Sequence, residues 1–308
     1  MPDVPRARRA LVTGGTDGIG KEAARALART GHEVVIVGRD VEKGRRAEDE
    51  LRAGTGCRAI EFMPADLGLM REVERLAGRI SDRWDALHVL VHSAGVVRFR
   101  RELTGEGIEA AFAINALGRF ALTRRLIPRL AAGGRSGRAA RVVLVGGAAR
   151  GGRIHDEDVS LGPGYNVVRS ILQVQHANDV LTVEFARRLA REGLGARVSV
   201  TCLKIGVAST NIRQTFPRWA RWLVRGVLDP FIGQTPAQAA AAVETLALDP
   251  TLEGLTGTLF EKVTRLRPAS PGPRVLDPAE GRRLWTLCER LEHDAIGHDR
   301  PSLAAPTD

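Results

Sequence analysis

Apolar positions along the chain fall into short runs rich in Val, Ile and Leu, which alternate with longer stretches whose apolar residues recur every three to four positions. The first cycles place strands at Ala10–Thr13, Glu33–Val37 and Cys57–Met63, and helices at Lys21–Thr30, Val41–Ala53 and Met70–Arg83. Nearly continuous apolar strands separated by amphipathic helices predict a parallel sheet with helices on both faces. The cadence continues through a strand at Leu87–His92, a helix at Ile108–Leu130, a strand at Arg141–Val145, a long helix at Asn166–Arg191 and a strand at Arg197–Leu203. With one more strand towards the C-terminus, the pattern predicts one α/β domain over residues 1–308, built on a doubly wound, parallel, seven-stranded sheet.

After Gly206 the cadence changes. Residues 207–233 hold Phe216, Trp219, Trp222, Leu223 and Phe231, broken by Pro217 and Pro230. This stretch reads as a helical lid insertion over a substrate site, although core packing would use the same aromatic residues. A helix at Pro236–Leu248, a loop at Pro268–Pro273 and a last helix at Asp277–Glu292 follow. The polar tail, residues 293–308, is expected to fray.

Composition narrows the class. A chain of 308 residues with 44% hydrophobic and 27% charged residues is neither a fibrous repeat nor a disordered tail. Its net charge is +10, and 42 of its 46 basic residues are arginine. These are scattered through amphipathic segments, which argues against a nucleic-acid partner but leaves attraction to anionic ligands. Cys57, Cys202 and Cys288 have no metal-ligand spacing and suggest no disulfide framework. No secretory signal and no apolar run of the length a membrane span needs is found. The expectation is a cytoplasmic protein acting on a small molecule without a metal, with homo-oligomerisation left open.

The segment ALVTGGTDGIGKEAARAL, residues 10–27, joins a strand, a glycine-rich turn and a helix without interruption. Gly14 permits the tight turn, Gly18 lets backbone approach a pyrophosphate, and Gly20 allows the helix to pack closely. The phosphates would then face the helix N-terminus across Thr16, Asp17 and Ile19. A tight turn with no ligand is the plainer alternative for a glycine pattern standing alone.

The spacing TGxxxGIG resembles that of the short-chain dehydrogenase/reductase family. Later segments agree in order: Asp66 and Leu67 after the third strand, HSAG at residues 92–95, and INALGRFALT at residues 114–123. The likeness spans residues 9–250 and is greatest to the retinol-dehydrogenase-like branch, and it implies a Rossmann-type fold with a nicotinamide cofactor. In that family an acidic residue after strand two binds the adenosine ribose. Here Arg39 follows Gly38, and a guanidinium can fork onto a 2′-phosphate, so NADPH is favoured over NADH. By the same resemblance Asp66, Leu67, Ser93, Ala94, Gly95 and Thr210 line the cofactor. A helix cap is the plainer role for Asp66.

The resemblance also exposes a loss. The family uses a Ser, a Tyr, a Lys four residues after the Tyr, and an Asn, and only the Asn is present, as Asn115. Strand five ends RVVLVGGAAR, which puts Gly147 at the serine position. The run HANDVLTVEFARRL, residues 176–189, sets the helix register and places Ile171 at the tyrosine and Gln175 at the lysine. Gln175 could still offer an amide to the ribose. Tyr165, the one tyrosine, precedes this register by six residues and reads as a pocket-wall residue, with Gly147, Ile171, Phe216, Trp219 and Trp222. Its partner at the spacing of four is Arg169, which cannot tune a phenol as a lysine does.

No catalytic residue is therefore assigned beyond Asn115, and two readings follow. One is an atypical NADPH-dependent ketoreductase of a bulky aromatic, polyketide-like hydroxy-ketone or quinone, whose proton comes from the substrate or solvent. Its pattern of loss is similar to that of ketoreductases in angucyclinone antibiotic tailoring. The other is a catalytically inactive NADP(H)-binding sensor or structural protein, for which the aromatic insertion has no use.

The cofactor preference is testable at one residue. Arg39→Ala is expected to weaken NADPH binding in a titration while leaving NADH binding nearly unchanged. An equal loss for both dinucleotides would remove Arg39 from the 2′-phosphate.

Overall fold

The structure is a computed structural model that describes residues 7–134, 138–205, 235–262 and 265–297. Eight strands form one sheet in the order β3-β2-β1-β4-β5-β6-β7-β8. They are β1 (Arg9–Thr13), β2 (Glu33–Gly38), β3 (Ile60–Pro64), β4 (Val89–His92), β5 (Ala140–Gly147), β6 (Val198–Ile205), β7 (Thr258–Lys262) and β8 (Leu266–Pro268). The first seven run parallel and β8 pairs antiparallel with β7. The expected count of seven is thus corrected to eight. Three residues, one of them Pro268, carry no apolar run to read, and proline is tolerated there because an edge strand has N–H positions that need no partner.

Alternation along the strands feeds two cores. Leu11, Val35 and Val37 face one layer, while Ala10, Val12, Val34 and Ile36 face the other. The first layer is filled by α3 (Met70–Arg83), α5 (Gly118–Gly133), α6 (Val167–Arg191) and α9 (Pro278–Gly297). The second is filled by α1 (Gly18–Arg29), α2 (Val41–Thr55) and α7 (Pro236–Leu248). Strand order reverses at β1, between β2 on one side and β4 on the other, so a crevice opens above the C-terminal ends of β1 and β4.

Several boundaries differ from the sequence pattern for identifiable reasons. α1 begins at Gly18 because the Asp17 carboxylate caps it, accepting from Gly18 N at 2.7 Å. The helix expected at Ile108–Leu130 is divided into α4 (Ala110–Phe112), a π-helical turn at Ala113–Leu117 and α5. The segment expected as a loop at Pro268–Pro273 ends in the short helix α8 (Pro273–Leu276). The last helix runs past Glu292 to Gly297, correcting a tail expected to fray from His293. Glu292 is buried and accepts from Arg124 at 2.9 Å and Arg125 at 2.8 Å, which fixes α9 on α5. Phe120, Phe185 and Trp285 interlock edge to face at the same contact, with centroids 4.8 Å and 4.9 Å from Trp285. The stretch 207–233 and the tail beyond Gly297 lie outside the described residues.

Cys202 and Cys288 are buried, and burial pushes both thiols up, Cys202 to about 12. Cys57 is half-buried and stands just before β3.

Three histidines make stability pH-dependent. Burial, with Arg8 nearby, pulls His32 down to about 4, and burial with Arg8 and Arg9 does the same to His88. His92, fully enclosed against Thr123 and near Arg119, is held well below its ordinary value by burial and then by that cation. The unfolded chain takes up these protons near pH 6.5 while the folded chain refuses them, so stability is full above that pH and falls as pH drops towards 4. Thermal melting is expected to decline already between about pH 6.5 and 5, above ordinary carboxylate titration. A melting temperature constant over that interval would contradict the assignment.

Candidate functional site

The first βα turn crosses the crevice where backbone must pass backbone. Gly14 has φ +68°, and a Cβ there would stand 2.6 Å from Ala94 N; a Cβ on Gly20 would stand 2.3 Å from Gly14 O. Both positions therefore admit only glycine. Gly18 has φ +53°, a third backbone setting that favours glycine. Gly14 N donates to Val37 O at 2.9 Å, and a Cβ on Gly38 would stand 2.8 Å from Thr16 Cγ2. These approaches draw the end of β2, and with it exposed Arg39, against the glycine turn.

The N-terminus of α1 is open in a way that α3's is not. On α3, Glu106 accepts from Met70 N at 2.6 Å and Arg71 N at 3.3 Å. On α1, Asp17 takes Gly18 N, and among the described residues the N–H groups of Ile19 and Gly20 meet no acceptor. Two such groups at the positive end of a helix dipole, beside a turn whose Gly14 and Gly20 leave no room for a Cβ, fit a dinucleotide pyrophosphate. Asp17 also takes Lys43 Nζ at 2.5 Å, so its charge is offset rather than aimed at the phosphates.

Across the crevice, Ser93 N donates to Thr13 O at 3.1 Å and the turn runs on through Ala94 and Gly95. Asn115 holds the next residue from both sides, accepting from Val96 N at 2.8 Å and donating to Val96 O at 2.7 Å. Asp66 Oδ1 accepts from Gly68 N at 2.9 Å, closing the turn before α3, so the alternative role of helix cap falls instead to Leu69 and Glu106. Leu67 lends its carbonyl to close packing, since a Cβ on Gly118 would lie 2.4 Å from it.

Positions 147 and 175 come together in one contact. Gln175 Oε1 accepts from Gly147 N at 2.5 Å, and a Cβ on Gly147 would lie 3.0 Å from Gln175 Nε2. The amide thus fills the space that a side chain at 147 would take. Ile171 and Gln175 are half-buried on an α6 that is otherwise deeply enclosed beyond this point. The β5 backbone holds the Gln175 oxygen, and its Nε2, the amide donor expected to serve a ribose, has no acceptor among the described residues.

Tyr165 lies immediately before Asn166, the cap of α6, and donates to Arg98 O at 2.7 Å. Burial first, and then the nearby carboxylates of Glu109 and Glu102, push its phenol above the ordinary value. This is the opposite of what a proton relay requires. Thr210, Phe216, Trp219 and Trp222 lie outside the described residues.

One residue of the site was not singled out from the sequence. Arg119 is buried, donating from Nη2 to Ala94 O at 2.7 Å, and from Nη1 to Val145 O at 2.9 Å and Asn178 Oδ1 at 3.2 Å. Its Nε has no partner among the described residues. Burial pulls its guanidinium down to about 10, leaving it charged at neutral pH. The available signal was a charge inside an apolar helical stretch, Ala116–Leu122, which has no polar face for it to occupy.

A glycine cradle, an open helix N-terminus and an Asn-held turn at a topological switch point define a nucleotide-dependent α/β protein. The chain belongs to the short-chain dehydrogenase family. The family model described as short chain dehydrogenase matches residues 8–153. Polyprenol dehydrogenase of Homo sapiens is 32% identical over 252 residues, covering 81% of this chain and 75% of the relative. Retinol dehydrogenase 13 of Mus musculus is 30% identical over 296 residues, covering 94% and 85%. Among solved structures, an uncharacterized protein from Mycobacterium paratuberculosis superposes with a TM-score of 0.71 at 25% identity, covering 92% of this chain and 93% of that one. A short chain dehydrogenase from Escherichia coli CFT073 complexed with NADPH gives 0.62 at 25% identity, covering 82% and 95%.

Tyr165 supplies a direct check on the site. Tyr165→Phe removes one hydrogen bond, which costs about 1 kcal/mol of stability, and is expected to leave turnover within a few-fold of the parent. A loss of about 10² or more in kcat, the size typical of a general acid, would make Tyr165 the catalyst.

Proposed function

We propose that the protein is an NADPH-dependent ketoreductase that works without a side-chain proton relay at the family's usual positions. The observation that carries this reading is the Gln175 to Gly147 contact, which replaces a hydroxyl and an ammonium with a neutral amide fixed on backbone. The cradle of Gly14, Gly18 and Gly20 and the N–H groups of Ile19 and Gly20 would hold the pyrophosphate. Arg39 would take the 2′-phosphate, with Thr16 packed against Gly38 to bring it near, and Ser93, Ala94 and Gly95 would bound the nicotinamide side. A nicotinamide-binding neighbour at 25% identity supports the cofactor class, and Arg39 supports the choice of NADPH.

When bound, the reduced nicotinamide supplies the hydride. The carbonyl oxygen then gains negative charge that Ile171 cannot meet. A phenol or enol beside the ketone donates to that oxygen at the high effective concentration of an intramolecular contact. The proton moves from that hydroxyl to the alkoxide, and the resulting phenolate or enolate regains a proton from solvent. A bulky, largely apolar hydroxy-ketone or quinone meets this requirement, and relatives named for polyprenol and retinol accord with an apolar substrate. The place in aromatic polyketide metabolism rests on the pattern of absent residues alone.

The test compares a peri-hydroxy quinone or ketone with its O-methyl ether. Methylation is expected to lower kcat by about 10² or more, the contribution of a positioned acid, with a much smaller change in KM. The double change Ile171→Tyr with Gln175→Lys should add little on the free hydroxy-ketone. Undiminished reduction of the ether, or a large gain from the double change, would overturn the substrate as acid; tight NADPH binding with no turnover of any ketone would favour a cofactor-binding module.

A further inference from the structure

On α6, immediately beside Gln175, His176 and Asp179 face a cleft of about 570 Å³. It is bounded by the loop after β5, by Lys204 of β6, Leu259 of β7 and residues 269–275, displaced along the sheet from the glycine cradle towards β8. Gly152 packs so close to α6 that a Cβ would lie 2.0 Å from Leu172 O, and Gly151 has φ +82°. These two glycines let the loop lie flat on α6 and leave Arg150 at the edge of the cleft.

Its walls differ in chemistry. Leu259, Ala269 and Val275 are buried and give one apolar wall. Cationic residues share the lining. Lys204 is ion-paired with Asp179, the single carboxylate among the described lining residues, so that pair contributes little net charge. Arg150 reaches Glu261 at 2.9 Å, but its side chain is 63% exposed, and such a pair is weak and readily exchanged. Arg274 is exposed and meets no carboxylate among the described residues.

We infer that this cleft binds an amphiphile with an anionic head group, carboxylate or phosphate, held by Arg150 and Arg274, with its apolar body on Leu259, Ala269 and Val275. Two exposed guanidiniums beside an apolar wall match such a molecule: the fork pairs with either anion, and the chain is withdrawn from water. A neutral alcohol of the same length would gain only the second contribution. Taking this occupant as the substrate rests on the ketoreductase reading above, since the cleft adjoins the Gln175 to Gly147 contact; the binding itself does not depend on it.

Calorimetric titration of the full chain saturated with NADPH, using octanoate, octyl phosphate and 1-octanol, tests the assignment. At least one anion is expected to bind tighter than the alcohol and to lose about tenfold in affinity, the size of one charge-assisted hydrogen bond, in Arg274→Glu and again in Arg150→Glu. Arg46→Glu, an exposed charge reversal on α2, should leave it unchanged. The preferred anion identifies the head group. Equal affinity for 1-octanol, no binding of either anion, or equal losses in all three variants would overturn the site. Because turnover is not measured, such a failure leaves the hydride-transfer reading untouched.

Discussion

A single buried guanidinium sets the spacing of the crevice. Arg119 projects from α5 and joins the turn after β4, the end of β5 and α6, through Ala94 O, Val145 O and Asn178 Oδ1. No carboxylate among the described residues balances it, so the charge is met by oriented carbonyl and amide dipoles, and burial costs it part of its basicity. An arrangement of that kind tolerates little movement, because each acceptor that drifts leaves a desolvated cation short of a partner. The three segments it fastens meet where β4 and β5 end against α6. Asn115, one turn earlier on the same helical segment, fastens Val96 in the same way.

Gly147 and Gln175 are understandable only as a pair. A side chain at 147 would stand against the Gln175 amide, and a shorter residue at 175 would leave Gly147 N without its acceptor. The contact couples the two positions, since a change at either one disturbs the other. It closes the end of β5 onto α6, with the half-buried Ile171 four residues earlier on the same helix.

Much of the fold was legible because its signals are local. Strand runs, helix periods and the glycine turn each depend on a few adjacent residues, and seven strands and the principal helices lie close to where the pattern put them. The misses share another cause. The π-helical turn at Ala113–Leu117 carries Asn115, which grips Val96, and the extension of α9 to Gly297 is accompanied by the burial of Glu292 against Arg124 and Arg125 on another helix. Arg119, the capping of α3 by Glu106 and the neutralisation of Asp17 by Lys43 are likewise set by partners distant in sequence. Register against the family could locate 147, 171 and 175, but not the contact that two of them make.

The distribution of thiols gives the molecule a useful asymmetry. Cys202 and Cys288 are enclosed and held as thiols, whereas Cys57 is partly open and lies at the edge where the parallel strands begin. The glycine cradle, the Gln175 to Gly147 contact and the cationic cleft are associated with the opposite edge, where those strands end. Thiol-directed chemistry on the folded protein is thereby confined to one location, at the other end of the strands from the glycine cradle. A fluorophore or surface tether attached there would hold all molecules in one orientation, with the crevice facing solution.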